Sequence, residues 1–90
     1  MIKNFTHTVE GRNQECCATL GEGTENTRVI ISAAASAETL VILEADGAIS
    51  ALKARLESPE TLLDNAIRKA SEQKLIDAAL QSGQVQTAQL

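Results

Sequence analysis

Two hydrophobic rhythms divide this chain. From Ile2 to Ser32, apolar and β-branched residues sit in short runs broken by glycine: Ile2–Glu10, Asn13–Leu20 and Thr27–Ser32. Such Thr- and Val-containing segments between Gly turns predict antiparallel strands. Gly11-Arg12 reads as a two-residue turn, with Gly at the first central position of type II′ geometry. The stretch 21–26, Gly-Glu-Gly-Thr-Glu-Asn, reads as the second hairpin loop. From Gly47 onward the spacing becomes helical. Ile49, Leu52 and Leu56 fall at i, i+3 and i+7, one apolar stripe.

Ser58-Pro59-Glu60 marks a helix start. Serine caps the free N–H groups, proline at the first helical position lacks an N–H that would be unpaired anyway, and glutamate faces the positive helix end. Leu62, Leu63, Ala66, Ile67 and Ala70 continue as one stripe. At about 100° per residue, Leu75, Ile76, Ala79 and Leu80 then point to a different side. Either the helix breaks near Ser71-Glu72, or an intact helix carries two apolar faces. Gly83 is a natural stop, and the polar residues 84–90 are expected to fray.

Residues 33–46 admit two readings. Ser36 and Glu38 could open a helix reaching Leu56, or Thr39–Glu44 could be a buried fourth strand ended by Asp46-Gly47. The continuous apolar run and the Asp-Gly stop favour strand, although periodicity over so few residues does not arbitrate. The expected architecture is therefore α+β. A three- or four-stranded antiparallel meander is packed by two or three C-terminal helices, as a single domain over 1–83 followed by the tail.

Composition sharpens this. At 90 residues with 43% hydrophobic content, the chain has room for one modest core, and much of its apolar content is alanine. A thin core points to a partner or a second copy as a source of further burial. The net charge is −4; residues 1–45 carry three basic and six acidic groups, and residues 46–90 five and six. That balance opposes general nucleic-acid binding, which needs a surplus of Lys and Arg. No apolar run is long enough to span a membrane, and Met1–Phe5 lacks a signal-peptide hydrophobic region. A cytoplasmic location is expected.

Reactive side chains are few. With Gly11-Arg12 as the turn, Glu10 pairs with Asn13 and His7 lies opposite Cys16, a pairing that could activate a thiolate. The same face carries Phe5, Val9, Ala18 and Leu20, so it reads as core, and no third catalytic group accompanies it. Cys16 and Cys17, as sequence neighbours on a strand, point to opposite faces and cannot close one metal shell with His7. The segment 21–26 lacks the lysine of a phosphate-binding loop. No catalytic residue, cofactor or metal is expected.

The remaining candidate is the rotated stripe Leu75, Ile76, Ala79 and Leu80, spaced as helix-docking anchors are. The competing reading is a bent last helix folded onto the protein's own sheet. The expected function is a non-enzymatic protein–protein interaction module, such as a small inhibitor or accessory factor, associating through its C-terminal helices with another protein or with itself as a homodimer. The alternative is a small DNA-binding regulator using the helix pair around Ser71, with Arg68, Lys69 and Lys74 as its positive charge.

Overall fold

A computed structural model describes residues 1–22, 27–45 and 47–90. Of the loop expected at 21–26, Gly21 and Glu22 instead continue the second strand, and residues 23–26, like the Asp46 half of the Asp-Gly turn, lie outside the described residues. In chain order the elements are β1 (Ile2–Val9), β2 (Arg12–Glu22), β3 (Thr27–Ala33), β4 (Thr39–Glu44), α1 (Ala48–Leu56), α2 (Pro59–Glu72), α3 (Leu75–Ser82) and β5 (Gln86–Gln89). One sheet runs β1-β2-β3-β4-β5, antiparallel through β4 and parallel between β4 and β5. The α+β class and the strand reading of 39–44 both hold.

The first hairpin turns one residue earlier than expected. Glu10 and Gly11 take φ of 50° and 75°, the two positive values of a type I′ turn, whose twist suits the flanking strands. Val9 consequently pairs with Arg12, Phe5 with Cys16 and His7 with Gln14. The register differs by two residues from the Glu10–Asn13 pairing, and a shift of two leaves every side chain on its expected face. Phe5, Cys16, Ala18 and Leu20 do share the covered face.

Alternation along the strands sends Cys16, Ala18, Val29, Ile31, Val41 and Leu43 to one side, where α2 and α3 cover them with Leu63, Ala66, Ala70, Ile76 and Ala79. An irregularity between Ile31 and Ser32, where Ser32 pairs with Thr39, leaves Leu40 without an opposite residue and buries it as well. The core is thin, as the alanine content implies.

Ser58 caps α2 as expected, its hydroxyl accepting from the Thr61 N–H at 3.2 Å, with Pro59 in the first turn. Past Glu72 the helix breaks. Gln73 closes it through a bond to the Lys69 carbonyl, and Lys74 adopts a left-handed conformation (φ 55°). This redirection turns Ile76 and Ala79 onto the sheet. Gly83, at φ 71°, ends α3.

The C-terminal segment departs from the expected fray. Gln86–Gln89 pairs with Val41–Glu44, and the Leu90 N–H donates to the Glu44 carbonyl at 2.7 Å. Without it, β4 would present an open row of backbone donors and acceptors. Ala88 and Leu90 add their side chains to the core margin. Strand formation here is driven by that edge, since Gln86-Thr87-Ala88-Gln89 has little apolar alternation of its own.

Candidate functional site

The side chains with chemical potential are separated by the fold. His7 and Cys16 share a face but are not cross-strand partners. His7 instead reaches α3, its Nε2 lying 2.6 Å from Asp77 Oδ1, with the carboxylate accepting. That contact ties the edge strand β1 to the last helix. Lys3, further along the same strand face, pairs with Asp64 on α2. Both contacts fasten the helical layer to β1.

Cys16 is 1% exposed, and its thiol lies 3.6 Å from the Gln14 carbonyl as donor. Desolvation first, then the neighbouring Cys17 and Glu15, push its pKa up to about 11. A thiolate nucleophile needs the opposite shift, so Cys16 stays a protonated core thiol at neutral pH. Cys17 points to the other face of the sheet, half-buried. Among the described residues, no three His, Cys, Asp or Glu side chains gather as a metal shell would require.

The four anchors expected on the rotated stripe are split. Ile76 and Ala79 are buried against the sheet and Leu75 packs at the core margin. Leu80 alone is exposed, at 38%. The helix break accounts for this: once the chain turns at Lys74, the second apolar face belongs to a separate helix that folds onto the sheet. As placed here, Ile76 and Ala79 have no surface to offer a partner.

A different stripe occupies the surface. Ile49, Leu52 and Leu56 on α1 are 73%, 58% and 79% exposed. The reason is geometric. At about 100° per residue, Ala51 and Ala54 lie roughly opposite these three side chains. The alanine face packs inward, Ala54 being buried with Ala45 and Leu62 beside Leu20 and Ala51. Small residues let α1 approach the end of the sheet closely, and its bulky residues are left facing solvent. The spacing was visible in the sequence; the clue to its direction was the alanine pair on the other side.

Other hydrophobic residues lie nearby. The Leu20 N–H donates to the Met1 carbonyl, and Leu20 packs with Ala51 and Ala54. Exposed Met1 and Ile2 therefore sit at the same end of the sheet as α1. Between α1 and α2 runs an open groove of about 470 Å³ whose lining includes Lys53, Glu57, Arg68, Lys69 and Glu72. Its charges are mixed, and Lys69 is already engaged with the Gln89 carbonyl. It is poorly suited to holding an anion.

Helix α3 contains Asp77 and no basic residue, Arg68 hydrogen-bonds Asn65, and Asp77 holds His7. Among the described residues no helix is long and apolar enough to cross a membrane. Comparisons with family models, curated proteins and solved structures find no match.

Proposed function

We propose that this chain is a non-enzymatic interaction module, an inhibitor or accessory factor of the cytoplasm, that docks another protein through α1. The observation that carries this reading is the outward stripe of Ile49, Leu52 and Leu56. Isolated exposed aliphatics are ordinary on protein surfaces. Three at helical spacing on one short helix make an anchor row of the kind a hydrophobic groove receives. Each would contribute roughly 1.5–3 kcal/mol on full burial, before the costs of association. Lys53 on the same helix would set a positive charge beside the stripe, so a groove with an acidic residue at its rim is the partner surface it suits.

A photo-crosslinking residue placed at Leu56 tests this in the protein's native cells, with one at the exposed residue Val85 as control. The reading expects one protein species captured from position 56, lost when Leu52→Asp is added, and none from position 85. Equal capture from both positions would contradict it, as would capture that survives Leu52→Asp.

A further inference from the structure

The face of the sheet turned away from the helices carries a second apolar feature. Ile2 pairs with Thr19, Thr19 with Ile30, Ile30 with Ile42 and Ile42 with Thr87. These five residues form one row across all five strands, and every one is β-branched. A solvated face of an antiparallel sheet is expected to be polar, yet three of the five are isoleucine.

The charges on this face flank the row and already have partners within the sheet. Arg28 bonds Glu44 at 2.6 Å on one side, and Thr6 donates to Glu15 at 2.9 Å on the other. Of the two rows beside it, one holds Arg28 and Glu44 as a mutual pair, and the other holds Asn4, Cys17 and Ser32, all uncharged.

We infer that this face is the contact surface of a homodimer, two sheets packed face to face about a two-fold axis near Ile30. Size complementarity supports a second copy as the occupant. With the axis along the strands, the row meets its own reverse, so Ile2 faces Thr87, Thr19 faces Ile42 and Ile30 faces itself. Ile2, 66% exposed, is the protruding member. Thr87 lies with Ile42, Glu44 and Gln89 around a shallow depression that would receive it.

Area supports the same occupant. Five strands at about 4.8 Å spacing and some six residues at about 3.3 Å rise give a footprint of roughly 24 by 20 Å. Side chains standing off that plane raise the accessible area towards the ~800 Å² per partner of a standard interface. The inference is independent of the α1 reading, because it uses the opposite face of the sheet.

Sedimentation across a concentration series tests it, together with Ile30→Cys in a Cys17→Ser background. A dimer is expected whose dissociation constant rises at least about 30-fold in Ile30→Lys and is unchanged in Leu52→Asp. Because face-to-face sheets lie about 10 Å apart, a bis-maleimide of about that span should cross-link Ile30→Cys into a dimer, while Leu56→Cys in the same background stays monomeric on a denaturing gel. Alkylation of Cys17 in the otherwise unaltered protein should slow as concentration rises, a readout that needs no variant at Ile30 to fold. A monomer throughout, to about 100 μM, would overturn the inference, since weaker association falls below specific affinities. A dimer broken by Leu52→Asp and kept by Ile30→Lys would overturn it too, moving self-association to α1.

Discussion

Helices α1 and α2 are built from similar materials and face the core in opposite ways. On α2 the large residues Leu62 and Leu63 are buried together with Ala66 and Ala70. On α1 the alanines go inward and Ile49, Leu52 and Leu56 go outward. Both have an apolar stripe at helical spacing. The difference lies in what each meets: α2 lies across the sheet beside Cys16, Ala18, Val29 and Ile31, whereas α1 fits beside Leu20 and Leu62, where only small side chains pack closely. Periodicity establishes that a helix has an apolar side. The space beneath it decides which side is buried in folding and which stays exposed.

The largest effect that would sharpen this contrast is a charge under α2. Leu63→Asp buries an unpaired carboxylate at a position with no exposure and should cost more than about 4 kcal/mol, enough to abolish cooperative unfolding in a domain this small. Leu63→Ala should cost about 2–5 kcal/mol in chemical denaturation, from lost transfer energy and the cavity left behind. A loss under 1 kcal/mol would mean that the α2 layer is not packed as described.

Next in size is an alkaline transition that separates the two adjacent cysteines by face. Cys16 has an ordinary pKa of 9.0 when unfolded and about 11 when folded, so the native state holds its proton more tightly. The resulting stabilisation is complete below pH 9 and disappears as pH rises through about 11; it amounts to about 2 kcal/mol. Urea melts between pH 8 and pH 11 should show this loss, and Cys16→Ala should remove that component of the slope. Cys17 should be alkylated without denaturation at low protein concentration, and Cys16 only on unfolding.

Ser58→Ala should cost about 1 kcal/mol by removing the cap of α2. No comparable cost is expected at the start of α1, where Gly47 makes no side-chain cap. Smallest of all should be Leu56→Ala and Leu52→Ala, each within about 0.5 kcal/mol of the parent, because exposed side chains away from the core contribute little to folding.

These contrasts also explain which features were legible in the sequence. The strand reading of 39–44, the cap at Ser58 and the stop at Gly83 rest on local chemistry, and local chemistry is written residue by residue. The hairpin register was not, because Glu10 takes a left-handed conformation that its residue type does not advertise. The error of two residues preserved the faces, so the covered side of β1 and β2 was still assigned correctly. The strand Gln86–Gln89 was invisible for a different reason: the edge of β4 recruits it.

The stripe at Leu75, Ile76, Ala79 and Leu80 shows the same limit from the other direction. Its rotation relative to Leu63, Ile67 and Ala70 was readable, and the alternative of a folded-back helix was open. The break at Lys74 decided where Ile76 and Ala79 went. Nothing at positions 73–74 marks that break strongly, since neither Gln nor Lys is a helix terminator by propensity. The stripe that stays at the surface is the one at Ile49, Leu52 and Leu56, whose helical spacing is readable and whose outward direction is not.

The central claim is that α1's stripe serves binding and contributes little to folding, and one paired measurement addresses it. Leu52→Asp with Leu56→Asp should leave the urea midpoint unchanged or raised, and the same double variant should fail to capture the partner cross-linked from position 56 of the parent chain. A double variant that unfolds would place the stripe in the core. One that keeps both its stability and its partner would remove α1 as the docking surface.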